Sequence, residues 1–326
     1  MNAAVIQAFD APPAYASFAD PTPSPGETLV DVSAAALHRI VRSLANGSHY
    51  GSTGVLPFVP GVDGVGRLRS SFGRLPAGAR VFFGAARSPF GTFAEQSLAS
   101  ANMLIPLPDA LDDATAAAIA NPAMSSAAAL LRARFHPGEN ILILGATGAS
   151  GRLAVRIAKA HGAGAIVAVG RNPQALQSLK SLGADATISL NQNPDALLTA
   201  LRSELTGKNI DIILDYLWGP PAETLLSAIA EKGLQHSARR IRYVQIGNIA
   251  GPTLNLAAST LRSSGLELLG SGFGSASLDQ IREAITVFFA MIAVNPVEFK
   301  YKIAPLREIG SHWNVDTQGA RLVFQP

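Results

Sequence analysis

The chain has no cysteine among its 326 residues. That excludes a disulfide framework, a thiolate nucleophile, an iron–sulfur cluster and any cysteine-ligated zinc. A metal would have to rest on six histidines and the carboxylates. Charge is also sparse. Only 15% of residues are Asp, Glu, Lys or Arg against 48% apolar, so the chain can build a large core and is not of the disordered class. The net charge of +3 is a mild excess for this length and falls short of a nucleic-acid footprint. The start, MNAAVIQAFDAPPAYASFAD, has no basic leader, meets Asp10 early and breaks at Pro12 and Pro13, so no targeting signal is expected. No run of roughly 18–20 uninterrupted apolar residues is apparent, and the segment around Ala116 to Leu131 is interrupted by Asn121 and Pro122. The expectation is a cytoplasmic protein with no membrane partner.

What is present changes texture near residue 112. Before it, short alternating runs are cut by turn formers: ETLVDVSAAAL, VLPFVPGVDGVGRL, ARVFFGA and GTFAEQSLAS, each bounded by Gly or Pro. This spacing predicts a β-rich unit of barrel or partly open barrel type. After it, Asp112 or Asp113 can cap a helix through DATAAAIANPAMSSAAALLRA, and strands then alternate with helices from NILILGA to LELLGSG. Such alternation predicts a parallel sheet with helices on both faces. The tail gives one more helix, LDQIREAITVFFAMIA, and strand-like pieces at YKIAPL and ARLVF.

The most informative segment is NILILGATGASGRLAVRIAKAHGA. Glycines 145, 148 and 151 leave an apolar strand and enter an amphipathic helix. A dinucleotide site needs one glycine for the tight turn, one for approach of backbone amides to the pyrophosphate, and one for close helix–strand packing. The helix N-terminus then faces the phosphates. The candidate cofactor residues are therefore Gly145, Thr147, Gly148, Ala149, Ser150 and Gly151. An NAD site would carry an acid about 20 residues further on, at the end of the next strand. Gly170, Arg171 and Asn172 stand there instead, and a guanidinium suits a 2′-phosphate, so NADPH is favoured. Lys180 adds charge nearby, on a helix where exposure alone would explain it.

The order of parts resembles the medium-chain dehydrogenase/reductase superfamily, and within it the zinc-free quinone oxidoreductase branch. PFVPGVDGVG at 57–66, AAAIANPAMSSAAALL, the GATGASG turn, LGADATI and VQIGNIAG fall in that family's order. The resemblance implies an α/β fold: a Rossmann doubly wound parallel sheet plus a GroES-like β-rich domain, with NADPH and substrate in the cleft between them. The expected boundaries are a GroES-like domain at 1–118, a Rossmann domain at 119–272, and a C-terminal return at 273–326. The family's zinc-ligand positions correspond to His38, Val62 and Asn121, a poor set for the metal. The four-cysteine zinc lobe is missing.

Without a Lewis acid, the expected acceptor is intrinsically electrophilic, a quinone or conjugated enone. The resemblance points to Tyr50 as the acceptor's hydrogen-bond donor, and places His38 and Ser43 where an asparagine and another tyrosine are usual. His49 is adjacent to Tyr50. Tyr216 or Trp218 could wall the nicotinamide ribose or the acceptor, or simply pack. Gly247 and Asn248 could meet the carboxamide, and Phe273 would return over the cofactor. The strand containing Leu268 is implied at a homodimer edge.

Other chemistries lack their signatures. None of the tyrosines at 15, 50, 216, 243 and 301 has lysine four residues on, as short-chain reductases require. There is no GxxxxGK[ST] loop and no GxSxG elbow. The remaining alternative is a non-catalytic NADPH-binding structural or RNA-associated protein, for which the basic run SARRIRY at 237–243 is the natural patch.

Overall fold

A computed structural model describes residues 1–84, 86–230, 239–272, 274–297, 299–317 and 319–326. The chain forms two compact units, Met1–Asn121 with Leu278–Pro326, and Pro122–Ser277.

The first stretch runs β1 (Asn2–Val5), β2 (Ala14–Ser17), β3 (Glu27–Ala36), α1 (Arg39–Ala45) and β4 (Asp63–Leu68). It continues with β5 (Arg80–Gly84), β6 (Gln96–Ser100), β7 (Leu104–Pro106) and α2 (Asp113–Arg132). Helix α1 was not read from the sequence, where HRIVRSLA passes as loop between strands. Its first turn carries no acid and His38 gives no capping bond, so the usual N-terminal signals are missing. In α2 the Asp112 Oδ1 accepts the Thr115 amide at 2.8 Å, the expected cap. The interruption at Asn121 and Pro122 does not keep the helix from being apolar on average. An 18-residue window of α2 has mean hydropathy 1.3, long and apolar enough to cross a membrane, though 67% of it is buried in the protein. Asn121 and Pro122 break the run of letters but, flanked by so many alanines, do not lower the mean enough.

Next come β8 (Ile141–Leu144), α3 (Ala149–Ala160), β9 (Ile166–Gly170), α4 (Pro173–Lys180) and β10 (Ala186–Ser189). Then follow α5 (Pro194–Gly207), β11 (Ile212–Asp215), α6 (Gly219–Ile229), β12 (Arg240–Gln245), α7 (Ala258–Arg262) and β13 (Gly265–Gly270). All six strands pair in parallel in the order β10-β9-β8-β11-β12-β13. The α/β Rossmann order is therefore present, and its direction reverses between β8 and β11. Every residue of β8, β9 and β11 is buried, as central strands covered on both faces must be. Helices α4 and α5 open on the same device: Asn172 and Asn193 accept amides three residues on, at 2.9 and 2.8 Å, with proline at the first helical position.

The chain returns through α8 (Leu278–Val294), β14 (Tyr301–Pro305), α9 (Ile309–His312) and β15 (Arg321–Gln325). In the first unit the sheet order is β14-β15-β3-β4-β5-β7, with β6 also on β3. Strand β15 pairs Val323 with Ala36 and Phe324 with Ala35, so the C-terminal strand is stitched to the end of β3. A bulge between Val32 and Ala34 bends β3 just before that end. The unit's core includes Ile6, Val30, Leu68, Phe83, Phe93 and Phe324.

Candidate functional site

In the second unit, the turn after β8 is shaped by two glycines for different reasons. Gly145 has φ +90°, which only glycine adopts without strain. Gly151 is buried where a Cβ would lie 2.3 Å from the Gly145 carbonyl and 2.6 Å from the Ala146 Cα. A side chain there would push α3 off the strand. Between them Gly148 caps the helix without a side-chain bond, and its own amide closes on the Gly145 carbonyl at 3.1 Å. The first-turn amides of Ala149, Ser150 and Gly151 have no intrahelical acceptor by construction, and none donates elsewhere among the described residues. Thr147 lines the same turn beside Gly170 at the end of β9.

Arg171 follows directly, exposed and without an ion pair among the described residues. The Asn172 side chain is occupied as the α4 cap. No carboxylate stands at the end of β9, where residues 170–172 are Gly-Arg-Asn. On α3, Arg152 donates to the Ser178 hydroxyl of α4 at 2.8 Å. These residues fit a phosphorylated dinucleotide: free amides for a pyrophosphate, and an unpaired guanidinium for a further phosphate.

On the other side of the strand-order reversal, Asp215 ends β11 fully buried. Its Oδ1 accepts the amides of Leu217 and Trp218 at 2.7 and 3.0 Å, and its Oδ2 accepts the Tyr243 hydroxyl at 2.8 Å. Burial pushes this carboxyl up, and the three donors pull it back down. The turn it ties holds Trp218 at φ +56°. The Tyr216 hydroxyl instead bonds the Ser126 hydroxyl at 2.7 Å in the interior, and burial pushes its phenol up. Tyr216 is thus a packing residue, and of the two aromatic candidates Trp218 is the one near open space. A cavity of about 320 Å³ lies at the carboxyl ends of β12 and β13, lined by Trp218, Gln245, Asn248, Leu268 and Gly270 among others. Gly247 packs against the Tyr216 carbonyl. Phe273 lies outside the described residues.

In the first unit, His38 and Asp63 are both buried, with relative exposures of 2% and 6%. His38 Nε2 stands 3.2 Å from Asp63 Oδ1, and Asn121 Nδ2 donates to Asp63 Oδ2 at 2.9 Å. Burial lowers the His38 pKa, and the Asp63 charge opposes that shift. Asp63 was not assigned from the sequence, although it stands in the quoted PGVDGVG motif; its two donors, His38 and Asn121, were named without it. Tyr50, by contrast, is 76% exposed, its ring tilted over His49 at 4.2 Å between centroids. Ser43 donates to the Ile40 carbonyl within its own helix.

Comparison with known proteins shows likeness in sequence and in fold. Residues 149–290 match the family model described as zinc-binding dehydrogenase. A probable NADPH-dependent quinone reductase of Emericella nidulans is 28% identical, with 100% of both chains covered. The quinone oxidoreductase of Rattus norvegicus is 34% identical over 44% of each chain. A mycobacterial quinone oxidoreductase structure superposes with TM-score 0.84 at 18% identity, over 100% of both chains, and so shares the fold. The chain is similar to zinc-binding dehydrogenases over residues 149–290 and, along its whole length, to a probable quinone reductase, and it shares the fold of the mycobacterial quinone oxidoreductase.

Despite the family model's description, this chain's donor set does not fit zinc. At the three ligand positions that the family resemblance implies, His38 Nε2 and the Asn121 amide are both turned to Asp63, and Val62 has no donor atom. No group of three His, Cys, Asp or Glu is arranged for a metal among the described residues. The basic run at 237–243 is not a free patch either. Arg239 pairs with Asp211 at 3.1 Å, Arg240 with Glu267 at 2.7 Å, and buried Arg242 with Glu139. Ser237 and Ala238 lie outside the described residues.

Proposed function

We propose that this chain is a dehydrogenase/reductase that transfers hydride from NADPH to a quinone or a conjugated enone without zinc. The observation that carries the reading is the pairing of unpartnered α3 amides with an unpaired Arg171 and no acid at the end of β9. The amides of the 145–151 turn would hold the pyrophosphate, Gly170, Arg171 and Asn172 the adenosine ribose phosphate, and Gly247, Asn248 and Phe273 the nicotinamide end. When bound, NADPH supplies the hydride; the chain's work is to orient the acceptor, exclude water and provide a proton. His38 and Tyr50 are the residues proposed for that last task.

The donor set around Asp63 supports the zinc-free part of the reading, and an acceptor that is electrophilic by itself follows from it. Relatives named for quinone reduction support the acceptor class. A homodimer formed along β13, the edge of the six-stranded sheet, completes the reading.

The test is oxidation of NADPH and of NADH with 1,4-benzoquinone, 1,4-naphthoquinone and a simple enone. Turnover with NADPH in marked preference to NADH is expected. Tight NADPH binding with no turnover on any acceptor would return the chain to a non-catalytic role.

A further inference from the structure

The His38–Asp63–Asn121 cluster contains more chemistry than a helix start requires. His38 sits at the cap position of α1 but makes no capping bond with its side chain. Its ring is enclosed, and Nδ1 is buried with no partner among the described residues. Buried polar atoms in folded proteins nearly always have partners, so one without calls for a reason.

The hydrogen bonds decide which nitrogen carries the proton. As a carboxylate, Asp63 only accepts. One oxygen takes the Asn121 amide, and the other faces Nε2 at 3.2 Å. Its backbone carbonyl takes the Thr92 hydroxyl at 2.7 Å, which fixes the strand position as well. Nε2 therefore carries hydrogen, and a neutral ring has its free lone pair at Nδ1. The charged group facing this pair is Arg321 from β15, which in turn faces Arg42 and Arg39 from α1. The Nε atoms of Arg42 and Arg321 are likewise buried without partners, and one terminal nitrogen of Arg321 donates to the Leu37 carbonyl at 3.2 Å. His38 Nδ1 is thus an enclosed acceptor without a partner, with the Arg321 charge facing the same ring.

We infer that Asp63 is a positioning residue: it holds His38 in the Nε2–H tautomer, so that Nδ1 is the atom that exchanges a proton with the acceptor's oxygen. This rests on the proposed reduction of a quinone or enone. In that reaction the acceptor takes the two electrons of the hydride that NADPH supplies. Nδ1, unprotonated at rest, takes up one proton from water, and the acceptor's oxygen forms its O–H bond as that Nδ1–H bond breaks. The ring is left neutral again, with Nε2–H still on Asp63. Asn121 keeps the second carboxylate oxygen engaged, so that Asp63 cannot rotate away from the ring.

The experiment has two arms. The first records 15N imidazole spectra of the wild-type protein without cofactor, with the His38 resonances assigned by their loss in His38→Gln. Protonated Nε2 and unprotonated Nδ1 at pH 8 are expected; a ring protonated at Nδ1 instead would overturn the inference without any kinetics. The second arm compares wild type with Asp63→Asn in NADPH-dependent naphthoquinone reduction. A fall in kcat of roughly 10- to 100-fold with KM nearly unchanged is expected for a misoriented proton donor. Asp63→Glu, which keeps the carboxylate, should recover part of the kcat. An Asp63→Asn protein with native near-UV circular dichroism and undiminished kcat refutes the positioning role. Absence of wild-type turnover on every quinone and enone sinks the functional reading itself, and the proton-exchange role with it, even where the tautomer is as stated.

Discussion

The Tyr243 hydroxyl of β12 donates to Asp215 Oδ2 of β11 at 2.8 Å, inside the parallel sheet and beside the strand-order reversal. Both side chains are fully buried, so each is the other's means of tolerating the interior. The same carboxylate ties the turn carrying Trp218, which links the sheet interior to the cavity wall.

Tyr243→Phe removes that donor and leaves Oδ2 with only the Trp218 amide at 3.2 Å. The expected cost is about 1–3 kcal/mol of stability, the price of an under-satisfied buried carboxylate, read from urea unfolding. Because burial holds the Asp215 pKa up and this bond helps pull it down, the variant's carboxyl should titrate higher still. Unchanged unfolding midpoints would show that the bond contributes nothing.

Arg171→Ala should lower kcat/KM for NADPH by roughly 10-fold or more, the scale of one charge-assisted contact with phosphate, and leave NADH little affected. Equal effects on both cofactors would place the guanidinium away from the 2′-phosphate.

Gly151→Ala puts a methyl group against backbone that cannot move aside cheaply, 2.3 Å from the Gly145 carbonyl. Overpacking of this kind costs on the order of 1–3 kcal/mol, and the shifted helix should also weaken NADPH binding. Thermal denaturation together with NADPH titration checks both parts.

His38 supplies a pH dependence of stability whose sign is set by its lowered pKa. The unfolded chain takes up the proton near pH 6.5 and the folded chain only below that. Stability from this group is therefore complete above about pH 6.5 and is lost as pH falls toward the folded value, at up to about 1.4 kcal/mol per pH unit. His38→Gln should flatten the stability profile between pH 6.5 and 5. An unchanged slope would mean that the ring ionises as freely in the folded protein as outside it.

Tyr50 is exposed and stacked only on His49, so Tyr50→Phe should leave the fold's stability within about 0.5 kcal/mol. If its hydroxyl serves the acceptor, kcat/KM with quinones falls. Full activity in this variant would leave His38 as the proton-bearing side chain of the proposed site.

The alternation of NILILGA, AIVAVG, ATISL and DIILDYL with helical segments could be read directly, because each buried strand and amphipathic helix declares its period within a dozen residues. The glycine turn was legible for the same reason: the φ of Gly145 and the clearance at Gly151 concern atoms within a few residues of one another. Helix α1 was not, since its seven residues lack an acidic start and its cap gives no side-chain bond. Nor was the cluster at Asp63, whose partners lie 25 residues before it and 58 after.

The absence of cysteine and the strand–turn–helix around Gly145 are local facts, and they settle by themselves that no thiolate chemistry exists here and that a dinucleotide-type turn does. Which charges are free is a different matter. The arginines at 239, 240 and 242 look like a patch in the sequence, yet each meets an acid from 27 to 103 residues away. His38 and Asp63 look unrelated and become one hydrogen-bonded unit. Pairing of this kind depends on sheet register and burial, which bring distant residues to hydrogen-bonding distance and raise the cost of leaving any of them alone.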